Sequence, residues 1–327
     1  MLTKFSLDQD LFSSQHLLDE TLSVVHEYIL ENWNHYGILI FQKGSELEYR
    51  KKIKDLPAKF QNKWLTALSH SPKQELNSTW NPYISYKDFD SICTLSSIFE
   101  TGITEDTISA ELCNNKSTSR FKENPPFEIL GTGAVSESVN FTESRKAATT
   151  DIAAGTPIED IWIKRFSALA KIAKNIIICD RYIFKRTLED TAKGYVSTSI
   201  KKFISLLDNS TEPYNITIIS DGNTKNSQTH YEVTNYFEQK ILSSPPLKTK
   251  IKSLNIISCN ELDFQKTAHD RFIRLDSHVY QIGIGMMIFE RHEIPTTSFT
   301  IKRKELCQTT TTETYLRQNR EWQKTWS

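Results

Sequence analysis

Ile176, Ile177, Ile178 and Cys179 follow one another with no polar residue between them. That run limits what the chain can fold into more than any other stretch. Successive side chains of a strand point to opposite faces, so a strand that is apolar at every position must be covered on both. The covering layers are legible. Trp162, Phe166, Leu169 and Ile172 form a helical stripe ahead of the run; Ile200, Phe203, Ile204 and Leu207 form a second after it, and Val233, Tyr236, Phe237 and Ile241 a third. Short apolar segments at Ile216–Ile219 and Leu254–Ile257 separate the stripes and read as further strands. This alternation predicts a mixed sheet with helices on both faces, joined by right-handed crossovers. Asp180 and Arg181 stand at the exit of the central strand, where α/β sheets hold ligand groups, and are candidate binding residues; a salt-bridged strand end is the alternative.

The segment from His269 to Glu290 carries the chemistry. Its alternation puts His269, Arg271, Ile273 and Leu275 on one face of a strand and Asp270, Phe272 and Arg274 on the other. Asp276 and Ser277 supply a turn, and Val279 to Ile282 return as a second strand into Gly283 and Gly285, which predicts a β-hairpin. A neutral imidazole can attack phosphorus, and an arginine beside it can hold phosphate oxygens in bidentate fashion. His278 and His292 lie nearby and read as surface histidines.

The spacing His269-x-Arg271-x4-Asp276 resembles the H-x-K-x4-D motif of the phospholipase D superfamily, with arginine for lysine. That resemblance implies a second imidazole to protonate the leaving oxygen, supplied by a homodimer, with His269, Arg271 and Asp276 as the catalytic candidates and Asp180, Arg181, Asp270 and Arg274 as the binding ones. A closer resemblance is to the phospholipase-D-like domain at the C-terminus of MIT-domain proteins that work with ESCRT-III. It is carried by His269-Asp270-Arg271, by Ile282-Gly283-Ile284-Gly285 with Phe289, and by Cys307-Gln308-Thr309-Thr310. The resemblance runs from about Trp162 to the C-terminus. It implies a phospholipase-D-like mixed-sheet α/β/α domain that binds membranes or partners rather than cleaving a substrate. Gly283-Ile284-Gly285-Met286 stands where active members carry G-S-x-N, which also points away from hydrolysis. The expected ligand is anionic, a nucleic acid or a phospholipid headgroup, or else a protein partner. A phosphodiesterase or nuclease with His269 as nucleophile is the alternative. The resemblance also admits a place in a prokaryotic anti-phage system.

With 40 basic and 40 acidic residues the chain has a formal net charge of zero, so attraction to anions has to be local. Lys248, Lys250 and Lys252, with Lys302, Arg303 and Lys304, would make such a patch if they flank the hairpin. The five cysteines are scattered without C-x-x-C pairing, which argues for reduced thiols in a cytoplasm and against zinc. Nothing in the sequence calls for a cofactor. The first residues do not read as a signal peptide, and no run reaches the length of a membrane span. Helical patterns over Leu11–Trp33, Glu46–Ile53 and Phe60–Leu68 predict a mostly helical N-terminal domain with at most one small sheet near Gly37–Phe41. Trp33, Trp64 and Trp80 are read as its core. The polar stretch Asn114–Pro126 sets the boundary, giving domains at 1–122 and 123–327 within an α/β chain.

Overall fold

The computed structural model describes residues 2–208, 212–222, 227–267, 271–290 and 293–327. His269 and Asp270 of the motif, and His292, lie outside the described residues. The chain is an α/β protein that divides into two compact units, Met1–Ala147 and Ala148–Ser327.

The first unit is organised by a sheet. Its strands are β1 (Thr3–Leu7), β2 (Gly37–Gln42), β3 (Lys73–Leu76), β4 (Thr101–Thr104), β5 (Ser119–Lys122) and β6 (Phe127–Gly131). They lie in the order β3-β2-β1-β4-β6-β5, every neighbouring pair parallel except β5 with β6. Helices are present as expected at Glu46–Ile53 and Ala58–His70, whereas the span Leu11–Trp33, expected as one helix, is broken into a 3-10 turn at Gln9–Ser13, a short helix at Gln15–Leu18 and the helix Ser23–Tyr36. Of these strands only β2 and the extended apolar piece at β6 are legible in the sequence; a strand such as Thr101–Thr104, four residues reading TGIT, has no apolar alternation to find. Trp33 and Trp64 are core residues, the first donating to Pro72 O at 2.8 Å and the second to His26 Nδ1 at 2.9 Å. The boundary falls after Ala147 rather than at 122. β6 completes the parallel sheet beside β4, and the helix Val139–Ala147 places Phe141 against Phe5, ring centroids 5.4 Å apart. The polar stretch taken for a linker contains the outer edge strand β5, and an edge strand facing water has no need of apolar residues.

In the second unit the strands are β7 (Asn175–Cys179), β8 (Tyr214–Asp221), β9 (Ile251–Cys259), β10 (Phe272–Leu275), β11 (His278–Ile282), β12 (Phe299–Arg303) and β13 (Trp322–Trp326). The sheet order is β12-β11-β10-β7-β8-β9-β13, with β7, β8 and β9 parallel and the rest antiparallel. β7 is central and its Ile176–Cys179 run is buried, as a strand covered on both faces must be. One face, with Ile177, Cys179, Ile219, Ile257, Phe272 and Val279, packs on Phe264 and Leu316 from the helices Glu261–Thr267 and Thr309–Gln318. On Tyr280 the ring of Phe166 stacks at 4.5 Å, bringing down the helical stripe that begins at Trp162. β10 and β11 form the predicted hairpin, closed by Asp276 and Ser277 between the facing residues Leu275 and His278. Asp276 sits at φ +46°, a left-handed conformation that aspartate tolerates in a two-residue turn.

Candidate functional site

The carboxyl ends of β7, β8 and β9 lie along one edge of the second sheet, where β10 begins and β11 ends. Asp180, the residue after β7, is buried there. Its Oδ1 accepts the Tyr182 N–H at 2.9 Å and its Oδ2 accepts the Met286 N–H at 2.8 Å. Arg271, just before β10, reaches past it. Gly285 makes this possible: at φ +60° a Cβ would overlap Asp180 Oδ2 and stand 2.5 Å from Arg271 Cδ. The glycine thus meets a conformational demand and a spatial one together.

From that position the Arg271 guanidinium lies 4.9 Å over the Tyr182 ring and donates from Nη1 to Gly283 O at 3.2 Å. Arg181 and Arg186 stand over the same ring at 5.0 and 5.8 Å. Three guanidiniums gathered around one aromatic ring would repel one another without acidic neighbours. Arg181 pairs with Glu261, and Arg186 Nη1 with Glu290 Oε2 at 3.3 Å. Arg271 differs. Among the described residues its nearest carboxylate oxygen, Asp180 Oδ1, is 3.9 Å from Nε, beyond hydrogen-bond distance. A guanidinium has five N–H donors, and Arg271, about a quarter exposed at 27%, has one of them, on Nη1, bound to another of the described residues.

Of the residues singled out in the sequence, Asp180, Arg181 and Arg271 therefore meet at one edge. Asp276 does not join them. It lies at the opposite end of β10, five residues and roughly 16 Å along the strand from Arg271 at about 3.3 Å per residue. Its carboxylate accepts from Lys174 N, Asn175 N and Asn175 Nδ2, each at 3.0 Å, so it ties the hairpin turn to the start of β7. Arg274 is also committed elsewhere, since Nε and Nη2 bind the two oxygens of Glu313 at 2.7 Å each. His278 is buried at the turn end of the hairpin, with Nδ1 3.1 Å from Ser277 Oγ, and is not the surface histidine expected. The two basic runs do not flank the site either. Lys248–Lys252 leads into the amino end of β9, and Arg303 faces His278, so both runs lie at the far end of the sheet from Arg271. Arg186, Glu261 and Glu290 were missed. Arg186 had one signal, its place one helical turn after Tyr182.

A second polar cluster went unread in the first unit, at the carboxyl ends of β1, β4 and β6, where the strand order reverses. Asp106 accepts from His16 Nδ1 at 2.9 Å, from Ser14 Oγ at 3.3 Å, from Thr132 Oγ1 and from the Gly133 N–H at 3.0 Å. Burial pushes its carboxyl pKa up, but these hydrogen bonds outweigh burial and hold it below the usual range. Its acceptor capacity is filled within the unit. Among the described residues no cluster of three His, Cys, Asp or Glu side chains could hold a metal ion, and no helix is long and apolar enough to cross a membrane.

No family model and no curated protein matches this chain. Among solved structures it is similar to that of TrmBL2, described as an archaeal chromatin protein with a novel mode of DNA binding, at 13% identity and a TM-score of 0.25. The match covers 54% of each chain, so this chain spans about half the length of that protein. A score at that level supports no argument about fold or function.

Proposed function

We propose that the second unit is a phospholipase-D-like domain that binds a phosphate-bearing ligand at the carboxyl edge of its sheet, with Arg271 as the anion clamp. One observation carries this reading. Arg271 is held between Gly285 and Tyr182 with no carboxylate of the described residues in hydrogen-bond contact, whereas the neighbouring arginines are each paired. An arginine presented in this way suits phosphate oxygens, and the position is the one at which open α/β sheets take ligands. Tyr182 adds an aromatic ring against which the guanidinium rests.

Isothermal titration with pyrophosphate tests the reading. Binding should weaken with salt, and Arg271→Ala should remove about 1.5–3 kcal/mol, or roughly ten- to a hundred-and-fifty-fold in Kd. Arg271→Lys should fall between, because an ammonium keeps charge without the fork. An unchanged Kd in Arg271→Ala refutes it. The phosphodiesterase alternative is read in the same experiment with bis(p-nitrophenyl) phosphate: turnover by the wild type that His269→Ala abolishes would replace binding with cleavage, and that activity should require a homodimer to supply the second imidazole.

A further inference from the structure

In the first unit the chain leaves β1 for β2 and β3 on one side, while β4 and β6 lie on the other. The crevice outside the carboxyl ends of β1 and β4 is therefore the switch point of this sheet, the place where open parallel sheets take ligands. Three connections meet there. Ser14 and His16 follow β1, Asp106 follows β4, and Gly131 ends β6 with Thr132 and Gly133 after it. A Cβ at Gly131 would stand 2.5 Å from Asp106 Oδ1, and one at Gly133 would stand 3.0 Å from His16 Cε1 and 3.3 Å from His16 Nε2. Glycine at these two positions admits the carboxylate and leaves that side of the imidazole uncovered.

Asp106 fixes the state of the ring. An ionised carboxylate only accepts, so Nδ1 carries the proton in the 2.9 Å contact, and in the neutral imidazole Nε2 carries the lone pair. The backbone beneath the ring is held as well. Ser14 Oγ accepts the His16 N–H at 3.3 Å and lies 2.6 Å from Thr132 Oγ1, which itself donates to Asp106. Nε2 differs from these groups: among the described residues it has no hydrogen-bond partner, and the His16 side chain is 39% exposed. Charge narrows what can approach it. Among the described residues no lysine or arginine pairs with Asp106, so the fixed charge at the crevice is that of a carboxylate, which repels a phosphate and tolerates a neutral ester.

We propose that the first unit carries a hydrolytic site of its own at this switch point, acting on a neutral carboxylic ester with His16 as general base. Nε2 takes a proton from a water molecule as the water oxygen bonds to the ester carbonyl carbon. The tetrahedral intermediate then breaks its bond to the alcohol oxygen, which takes that proton back from the imidazolium, and acid and alcohol leave. Asp106 touches no substrate atom. It is a positioning residue that fixes the tautomer and stabilises the imidazolium. The site lies in the other unit from Arg271, and the inference is independent of the anion site.

The test uses the full chain with p-nitrophenyl acetate, read by release of p-nitrophenolate, together with the nitrogen NMR signals of His16. Saturable turnover is expected. His16→Gln should lower kcat/KM about a hundredfold, within the range for a general base. Asp106→Asn should lower kcat with KM little changed, because an amide N–H facing Nδ1 moves the imidazole proton to Nε2. The nitrogen signals report the same event, with the proton on Nδ1 in the wild type and on Nε2 in Asp106→Asn. Thermal melts establish that the variants are folded, and the wild-type tautomer is read without them. Turnover by folded His16→Gln equal to that of the wild type overturns the proposal. So does a wild type without saturable turnover, or one whose neutral His16 carries its proton on Nε2.

Discussion

Glu313→Ala is the change that most directly separates holding the fold from holding a ligand. Glu313 lies on the helix Thr309–Gln318 and grips Arg274 of β10 through two hydrogen bonds of 2.7 Å, while Arg274 Nη1 donates to Asp276 O at 2.6 Å. The side chains are 14% and 6% exposed, so this is a buried bidentate pair. Alanine is the best helix former, and the substitution takes nothing from the helix itself. What it leaves is a guanidinium with one acceptor in place of three. Breaking a buried pair costs about 3–5 kcal/mol, and the retained Asp276 carbonyl puts the expected loss near the lower end, about 3 kcal/mol. Arg274→Leu with Glu313→Leu should recover to within about 1 kcal/mol of wild type, because apolar pairs of similar volume often replace buried ion pairs without loss. Hydrogen exchange read by mass spectrometry on residues 272–282 and 309–318 measures the opening free energy of this unit without interference from the other. A loss under about 1 kcal/mol in Glu313→Ala would refute the assignment, as would a double leucine variant no better than the single change. Pyrophosphate binding should be unaffected by the double variant, since Arg274 does not reach the Arg271 edge.

Other outcomes follow from the same geometry. Gly285→Ala should abolish pyrophosphate binding and lower the melting temperature, because the added methyl would displace both Asp180 and Arg271; a variant that binds normally would mean the edge is not the site. Asp276→Ala should cost about 1–3 kcal/mol in urea unfolding through its lost backbone hydrogen bonds, with pyrophosphate affinity unchanged, the reverse of what a catalytic aspartate would show. Asp8 is buried at the end of β1, and desolvation, opposed by the Thr104 hydrogen bond, raises its carboxyl pKa from 3.8 to about 6. An acid raised on folding contributes its full stability below its unfolded pKa and loses it as pH climbs through the folded one. Asp8→Asn should therefore gain most over wild type above pH 6, by roughly 2–3 kcal/mol in the first unit, and a gain that does not vary between pH 4 and pH 8 would contradict this.

Legibility differed between the two units for physical reasons. In the second, β7 is buried on both faces and β10–β11 carries its own turn, so periodicity and turn chemistry were enough to locate them. In the first, strands such as Lys73–Leu76, Thr101–Thr104 and Ser119–Lys122, reading KQEL, TGIT and SRFK, carry neither a continuous apolar run nor a turn of their own. Their burial comes from neighbours far along the chain, as in β4, where TGIT is fully buried between β1 and β6. The helices outside the sheet kept their stripes and drew the whole unit towards a helical reading. At the site, Asp180 and Arg271 were legible from their strand ends. Their contact through Gly285 was not, because 105 residues separate Asp180 from Gly285 and only the register of β7 on β10 joins them.

The motif spacing itself shows how far sequence adjacency can mislead about chemistry. His269-x-Arg271-x4-Asp276 looks like one constellation, but a strand separates residues by about 3.3 Å each and cannot bring its two ends together. Arg271 belongs to the carboxyl edge of β7–β9, and Asp276, beyond the far end of β10, belongs to the turn. Asp276 nevertheless bears on the site. By fixing Lys174 and Asn175 it sets the register in which Phe272 faces Cys179, and that register puts Arg271 beside Asp180 rather than one residue away on the opposite face of the sheet. The spacing is thus a mechanical requirement: an arginine at the carboxyl edge of β7–β9 and an aspartate at the anchoring edge, separated by one four-residue strand.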